Sequence, residues 1–369
     1  MKMTKKLWII ALTLIMILQV LPFSAAAAGT ETPAKEETKT ETPAKEEETK
    51  TFTVIYRDGF GNTLYKKTVK SGESVKPYGK RPTHPGFLFT CWDKKLPKVI
   101  TEDITITALW AIDKSVPLTL TVFADAKING SDTQKFQQLV STAVNHRGEV
   151  AALATTGNLV DRFDDMAAWN AIQNTVWTLP EDMYFYNVAG KSDVNGDAAD
   201  YSSFYMANLC RANNLNFYAG GAIWFQKLYR EGVMLMGVGY QQPAEAGVEK
   251  EKQDIWIKYL NDAARIHVGY SVVLLVSDYM DADGNLTDFG KLLEEQFVSV
   301  NPNVRLVVCG NGQGTARADK DYGGYKVTTV QLGAGAEGMT NLIFNLTDHS
   351  VNVTSVASGD ENFTIDNAF

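Results

Sequence analysis

Five segments of the chain have the apolar composition of buried strands, and each ends in a short polar loop that could carry chemistry. The segments are 118–123, 150–155, 184–189, 271–277 and 305–309. Asp125 follows the first of them and Asn158 follows the second. Because many enzymes gather their working residues from loops at one edge of a sheet, we expect these loops to form a single site.

The order and content of the five loops resemble those of the calcineurin-like metallophosphoesterases over residues 118–356. That family carries Asp-x-His, Gly-Asp-x-x-Asp, Gly-Asn-His-Asp or Glu, a single His, and Gly-His-x-His in this order. The resemblance implies an α+β fold, a two-sheet sandwich flanked by helices in αββα layering, and a site for two divalent metals. The matching positions in this chain are Asp125, Lys127, Asn158, Asp161, Lys191, Ser192, Asp193, Ser277, Asn311 and Gln313.

This chain departs from the family at nearly every metal ligand that the resemblance implies. Of seven ligand positions only Asp125 is kept, because lysine, serine or amide side chains replace the others. Two divalent ions carry four positive charges and require several anionic or imidazole ligands, which one carboxylate with neutral amides cannot supply. We therefore predict no catalytic residue and no metal cofactor. We expect the ammonium groups of Lys127 and Lys191 near the vacated positions, with Asp125 paired to one of them.

Alternative interpretations stay open at this point. Asp161, Asp193 and Asp278 remain near the expected edge, so a different metal geometry could support a divergent extracellular phosphohydrolase with a divalent metal pair. The loops could instead be ordinary turns, or the chain a structural spacer without a ligand. The histidines fall outside the five loops, and we expect them in surface or structural roles: His84, His146, His267 and His349.

The elements that must position these loops follow from hydrophobic periodicity. Helices are predicted over 136–144, 165–179, 254–266 and 288–300. In the third of these, Ile255, Tyr259 and Ile266 lie on or near one face, which predicts an amphipathic helix. Further strands are predicted over 224–228, 233–238, 325–332, 341–345 and 351–356.

The first 50 residues have the composition of export and tether segments. Residues 1–28 combine early lysines, an apolar run and an alanine-rich end, which predicts a cleavable signal peptide; an uncleaved membrane anchor is the alternative. Residues 29–50 repeat a Thr, Glu, Pro and Lys pattern without large apolar side chains, so nothing offsets the entropy of ordering them. We expect this stretch to be a disordered linker.

Residues 51–112 predict a small β module. Apolar residues alternate with polar ones over 52–56, and further short strands are predicted over 64–69, 87–92 and 104–110. This region resembles the Listeria–Bacteroides repeat, the internalin-type B repeat, through its Tyr-Arg-Asp-Gly, Pro-Gly-Phe and Trp-Asp motifs and its Thr-Glu-Asp-Ile-Thr ending. Cys91 departs from the glycine that usually precedes the tryptophan. The resemblance implies a β-grasp-like extracellular spacer or adhesion module, with Trp92 and Trp110 in its core.

Composition and the weaker motifs exclude several other functions. The chain has 369 residues and a net charge of −8, which argues against nucleic-acid binding, and its three cysteines cannot form a disulfide framework. Residues 281–285 and 193–197 have only partial calcium-loop spacing, so we predict polar turns. The glycine-rich stretch 333–338 precedes a predicted strand and not a helix, which predicts a flexible turn. Whether Cys210 and Cys309 pair is left open.

Taken together, the sequence predicts a bacterial protein that is secreted or held at the cell surface. Its domains are expected at 1–28, 29–50, 51–112 and 113–369, the last being a catalytically degenerate phosphoesterase-type sandwich. The predicted function is binding or adhesion, with an unknown protein or an anionic glycan or phosphate as the extracellular ligand. We expect no nucleic-acid partner, and membrane contact only through the signal segment during export.

Overall fold

The computed structural model describes residues 50–130, 132, 134–180, 182–194, 216–218, 223–228, 232–356 and 362–369. For 216–218 and 223–228 only the backbone is described. The predicted signal peptide, nearly all of the predicted linker, Cys210 and most of the 193–197 motif lie outside these residues. Within the described residues, no helix combines the length and the apolar character needed to cross a membrane.

All four predicted strands of the N-terminal module are present. They are β1 (Thr51–Arg57), β2 (Thr63–Lys70), β3 (Phe87–Trp92) and β4 (Ile104–Ile112). The sheet order is β2-β1-β4-β3, with β1 and β4 parallel and both outer pairs antiparallel. Alternate residues of β1 (Phe52, Val54 and Tyr56) are buried, as period two requires. The Trp92 ring centroid lies 4.9 Å from that of Tyr56, and Trp110 Nε1 donates to the Asp58 carbonyl at 2.6 Å.

The remaining residues form the larger domain. In chain order its described elements are β5 (Leu118–Phe123), α1 (Gln134–Asn145), β6 (Val150–Thr155), α2 (Met166–Val176), β7 (Tyr184–Asn187), β8 (Asn216–Tyr218), β9 (Ile223–Leu228), β10 (Val233–Val238), α3 (Gly247–Ile266), β11 (Ser271–Val276), α4 (Asp288–Gln296), β12 (Val304–Gly312), β13 (Ala316–Asp321), β14 (Lys326–Gly333), β15 (Thr340–Asn345), β16 (Ser350–Ser355) and β17 (Phe363–Ile365). Short 3-10 turns lie at Lys191–Asp193 and Val298–Val300.

The larger domain is an α+β sandwich of two sheets flanked by helices. The described strands form a seven-stranded sheet, β13-β14-β12-β11-β10-β9-β8, and a six-stranded sheet, β17-β16-β15-β5-β6-β7. Successive residues of β5 serve two cores, because side chains of a strand alternate between its faces. Leu120 and Val122 belong to the core shared with the other sheet, whereas Phe123 belongs to the core with α1 and α2. Residues of α3 and α4 pack into the larger core. The fold class predicted from the sequence is confirmed.

Parallel pairing brings the polar loops to one edge of each sheet. In the smaller sheet β5, β6 and β7 are parallel, and in the larger sheet β10, β11, β12 and β14 are parallel. The carboxyl ends of neighbouring parallel strands lie at the same edge, so the loops that follow them are adjacent. A bridge between Ala124 and Ala334 joins the two carboxyl-terminal edges.

The structure corrects several predicted elements. Helix α3 begins at Gly247, and its exposed face carries Ile255, Tyr259 and Ile266, which are 55%, 43% and 75% exposed. The predicted amphipathic helix is therefore present, but these three residues do not pack into the core. Strand β7 ends at Asn187, two residues early, and α4 ends at Gln296 before a 3-10 turn. Strands β8, β13 and β17 were not predicted.

The weaker motifs form turns where they are described. Asp281 Oδ1 accepts backbone hydrogen bonds from Asp283 at 3.0 Å and from Asn285 at 2.9 Å, which closes the predicted polar turn. Residues 335–338 form a turn between β14 and β15, as the strand after the glycine-rich stretch predicted. Cys309 is a buried free thiol, and burial raises its pKa.

Candidate functional site

The loops after β5, β6, β7 and β11 and the carboxyl-terminal end of β12 meet around Asp125, which is 7% exposed. Asp125 Oδ1 accepts a hydrogen bond from Asn158 Nδ2 at 2.7 Å. Asp125 Oδ2 accepts one from the Asn311 backbone N–H, also at 2.7 Å. Each carboxylate oxygen therefore has a neutral amide donor. We call Asp125, Asn158, Ser192, Asp278 and Asn311 the strand-end cluster.

Asn158 links the loop after β6 to the loop after β7. Its Oδ1 accepts from the Ser192 backbone N–H at 3.0 Å and lies 3.2 Å from Ser192 Oγ. Ser192 Oγ also lies 2.6 Å from the Val160 carbonyl, the closer acceptor for its single proton. The orientation of the Asn158 amide is thus set by donors on one side and by the Asp125 acceptor on the other.

Asp278 belongs to the loop after β11 and joins the cluster from the side of the larger sheet. Its Oδ2 accepts from the Lys191 backbone N–H at 3.1 Å and from the hydroxyl of the buried Ser277. Its Oδ1 lies 3.4 Å from Asn311 Nδ2, a weak hydrogen bond. Asn311 therefore contacts both carboxylates, through its backbone toward Asp125 and through its side chain toward Asp278.

Residues with positive φ are concentrated in the segments that carry the strand-end cluster. Of the seven described non-glycine residues with positive φ, five lie in these segments, with φ between 46° and 64°: Asp125, Lys127, Asn158, Asp278 and Asn311. The neighbouring Gly157 has φ of +105°, and a Cβ there would lie 2.6 Å from Ser277 Cβ and 2.8 Å from Gly190 Cα. Such strain costs about 1–3 kcal/mol per residue, persists only where the surroundings enforce it, and concentrates at functional sites.

Asp193 lies behind the cluster, not in it. It is 2% exposed, and its two oxygens accept backbone hydrogen bonds from Val160 and Gly190, both at 2.8 Å. Burial raises the pKa of Asp193 to about 7, and hydrogen bonds from Gly190, Val160 and Leu159 oppose that rise only in part. Asp193 thus ties the loop after β6 to the loop after β7 through its buried carboxylate.

The predicted ion pair of Asp125 with a lysine is wrong. Among the described residues no ammonium group lies within ion-pair distance of Asp125, because amide donors occupy both of its oxygens. Lys127 and Lys191 are exposed, and Lys191 Nζ lies 6.0 Å from the Tyr240 ring centroid. Asp161 and Gln313 are also exposed, and in the described part of the chain their side chains make no hydrogen bond to the cluster.

The residues present do not fit a dinuclear metal centre. Within the described ranges, no group of three His, Cys, Asp or Glu side chains is placed to hold a metal ion. The buried Thr156 Oγ1 has no hydrogen-bond partner in the described part of the chain, but a neutral hydroxyl adds no negative charge. Asp125 and Asp278 are the two carboxylates of the cluster, which is too few anionic ligands for two divalent ions.

A separate groove of about 530 Å³ lies on the outer side of α1 and α2. Residues including Gln137, Val140, Asn174 and Thr178 line it. None of its lining residues belongs to the strand-end cluster, so this groove and the strained loops are different places. We assign the candidate site to the strained loops because their residues converge from five strands.

Solved structures similar to this chain include a dimetal phosphatase from Danio rerio, with 9% identity, a TM-score of 0.47, and alignment over 68% of this chain and 99% of that one. GAP50, the anchor in the inner membrane complex of Plasmodium, aligns with 11% identity, a TM-score of 0.46, and 68% and 88% coverage. Purple acid phosphatase PPD1 from Lupinus luteus aligns with 10% identity, a TM-score of 0.45, and 70% and 57% coverage. No family model matches the sequence. No curated protein matches it either. At these identities and TM-scores the similarities assign no function to this chain.

Sequence reasoning identified the loops but not the contacts within them. It placed Asp278 only in the alternative with a different metal geometry, although that residue joins the loops of the two sheets. A usable signal was its position directly after Ser277, at the end of a predicted strand. The bridging role of Asn311 could not be predicted, because half of it is made by a backbone N–H group.

Proposed function

We propose that this chain is an extracellular binding protein whose larger domain is a metallophosphoesterase-type sandwich with a degenerate catalytic edge. One observation carries the proposal: amide donors satisfy both oxygens of Asp125, the single ligand position kept from the resembling family. In that family the corresponding carboxylate binds metal. Here internal hydrogen bonds take the place of metal coordination.

Loss of the metals removes the principal catalytic device of such a site. A divalent metal lowers the pKa of bound water toward neutrality and stabilises charge in the transition state. The strand-end cluster offers two carboxylates, Asp125 and Asp278, that already accept hydrogen bonds. Neither is a free general base beside an exposed nucleophile, so binding without turnover fits the chemistry better than hydrolysis.

The exposed lysines indicate which chemical class of ligand would bind. Lys127 and Lys191 project from two loops of this edge, and the Lys191 ammonium lies near the Tyr240 ring. Two ammonium groups beside an otherwise hydrogen-bonded surface suit a phosphate or sulfate group, on a glycan or on a partner protein. The signal-like segment and the module resembling the Listeria–Bacteroides repeat support a location outside the cell.

Metal content and turnover test the proposal directly. The full chain, recovered after export, is analysed for bound metal and assayed with a generic phosphodiester in the presence of Mn²⁺. We expect less than stoichiometric metal and no turnover above buffer. Stoichiometric metal with turnover that Asp125→Asn abolishes would overturn the proposal in favour of the divergent phosphohydrolase.

A binding measurement tests the role assigned to the lysines. Inorganic phosphate, sulfate and a sulfated oligosaccharide are titrated in a thermal-shift assay against wild type, Lys127→Ala and Lys191→Ala. Lys291→Ala serves as the matched control, since Lys291 is an exposed lysine on α4. We expect a salt-sensitive stabilisation that each cleft variant weakens and the control retains. If no anion shifts the wild type, the anionic ligand is excluded.

A further inference from the structure

The outward face of α3 exposes four large apolar side chains. Val248, Ile255, Tyr259 and Ile266 are 66%, 55%, 43% and 75% exposed, while Trp256, Leu260 and Ala264 on the other side pack into the core. Exposed apolar residues are ordinary when they are scattered singly. Four on one face of one helix are not scattered, and exposed apolar patches of this kind mark interaction sites.

Their spacing is that of a coiled-coil seam. Together with Lys252 and Asp262, the four residues follow one another at steps of four and three: Val248, Lys252, Ile255, Tyr259, Asp262 and Ile266. This alternation places all six side chains along one stripe of the helix, as the core positions of a heptad repeat do. We call these six residues the α3 seam. The helix has 20 residues and a length of about 30 Å, so the seam runs along nearly all of it.

We propose that the α3 seam pairs with the α3 seam of a second copy of this chain in an antiparallel, two-fold symmetric helix pair. The seam is symmetric in sequence about Ile257, which the pairing uses directly. In this arrangement Val248 lies opposite Ile266 of the second copy, and Ile255 lies opposite Tyr259. Lys252 lies opposite Asp262, so a cation meets an anion twice in each dimer.

Charge decides the direction of the pairing. A parallel pair would place Lys252 against Lys252 and Asp262 against Asp262, and like charges in contact are unfavourable. The antiparallel pair replaces both repulsions with attractions. Oppositely charged pairs within an otherwise apolar seam can fix the register and direction of helix pairing.

Lys252 and Asp262 can form ion pairs with the second copy as well as within their own helix. Lys252 Nζ lies 2.8 Å from Glu249 of its own helix, and Asp262 pairs with Lys258. Both pairs are solvent-exposed and contribute little to stability, so sharing them across an interface costs little. The helix is already held by its domain, and pairing therefore carries no cost of helix formation. We expect a dimer that forms reversibly with concentration.

A charge-reversal cycle on the full chain, recovered after export, tests the proposal by sedimentation equilibrium over about 1–100 μM. Wild type is expected to dimerise within this range. Lys252→Asp and Asp262→Lys, each alone, oppose like charges at two places and should weaken dimerisation about tenfold or more. The double variant Lys252→Asp/Asp262→Lys restores the attraction and should return to within about threefold of wild type.

Two further variants separate the seam from general surface effects. Lys291→Asp reverses an exposed charge on α4 and should leave dimerisation unchanged, whereas Ile266→Asp should abolish it. Circular dichroism and melting temperature confirm that each variant is folded. A wild type that stays monomeric throughout the range overturns the proposal. It is equally overturned if the double variant dimerises as weakly as the single ones.

Discussion

Two polar clusters of the sandwich each bury a carboxylate, and they stabilise it in different ways. In the strand-end cluster Asp125 accepts only from neutral amides, on loops with left-handed backbone. In the second, which we call the Glu294 cluster, Glu294 on α4 accepts from the hydroxyls of Tyr279 and Tyr322 and from the ammonium of Lys320. Glu294 is 7% exposed, the same as Asp125.

The two clusters also differ in their backbone conformation. None of the four residues of the Glu294 cluster has positive φ, although Tyr279 and Tyr322 lie in loops, and Lys320 supplies a cation. The strand-end cluster contains four residues with left-handed backbone: Asp125, Asn158, Asp278 and Asn311. Strain of this kind concentrates at functional sites, which favours the strand-end cluster as the candidate site. The two clusters therefore differ both in the donors to the buried carboxylate and in backbone conformation.

The largest effect is expected at the Glu294 cluster. Glu294→Ala removes the acceptor of two tyrosine hydroxyls and leaves Lys320 without its partner, so the free energy of unfolding should fall by about 3 kcal/mol. Urea unfolding followed by tryptophan fluorescence measures the change. Glu295→Ala, at the exposed neighbouring position, is the matched control and should change stability by less than about 0.5 kcal/mol. Equal effects at both positions would show that the cluster is not stabilising.

An intermediate effect is expected at the strand-end cluster. Asp125→Asn turns one acceptor into a donor that faces the Asn158 amide or the Asn311 N–H group, which should cost about 2 kcal/mol. Adding Asn158→Asp restores a donor–acceptor pair, because the carboxylate introduced there can accept from the new amide and from the Ser192 N–H. The double variant should therefore recover at least half of the loss in a double-mutant cycle. Strictly additive losses would contradict the hydrogen-bond assignment.

The stability contributions of Asp193 and of Glu294 should respond to pH in opposite directions. Burial raises the pKa of Asp193, behind the strand-end cluster, to about 7, so the folded state retains a proton that the unfolded chain releases near pH 4. Its contribution to stability therefore falls as pH rises from about 4 to 7, by up to about 1.4 kcal/mol per pH unit. Burial opposes ionisation of Glu294 too, but hydrogen bonds from Lys320, Tyr279 and Tyr322 outweigh it and lower its pKa. That contribution is present above about pH 4.5 and is lost as pH falls through the lowered pKa.

Urea unfolding at a series of pH values separates these contributions. Asp193→Asn should remove the negative slope of stability between pH 4 and 7, even though it also weakens a backbone hydrogen bond. Glu294→Gln should leave that slope in place and remove the loss of stability at lower pH. A slope between pH 4 and 7 that survives Asp193→Asn would assign the buried proton to another group.

The sequence predicted the fold more completely than the site because strands and loops leave local signals. Apolar runs predicted β5, β6 and β11, and the resemblance supplied the two-sheet layering. Strand β13 was missed because all of its residues are exposed, so it lacks the alternation that marks a half-buried strand. The contacts of Asp125 could not be predicted, because residue types specify charge but not which donor lies nearest in space.

Helix α3 illustrates why hydrophobic periodicity alone does not identify the buried face. Its sequence carries apolar residues on two sides, and the buried side also contains the polar Gln253 and Asn261. Gln253 accepts from the Ala244 N–H at 2.8 Å, and Asn261 donates to the Gln296 carbonyl at 3.0 Å. These partners lie outside the helix, so a pattern of polarity along it cannot reveal that both amides are satisfied in the interior.

The smallest effect is expected at Lys127, where the strain can be measured directly. Lys127 has φ of 46° and an exposed side chain, so Lys127→Gly removes the Cβ penalty of a left-handed residue but increases the entropy of the unfolded chain. The two terms nearly offset, and stability should stay within about 0.5 kcal/mol of wild type or rise. Lys291 lies in ordinary helical backbone of α4, so Lys291→Gly relieves no Cβ penalty and only increases the entropy of the unfolded chain. It should cost about 1 kcal/mol. Chemical unfolding of both variants measures the difference, and an equal cost at the two positions would show that the left-handed backbone at Lys127 carries no strain.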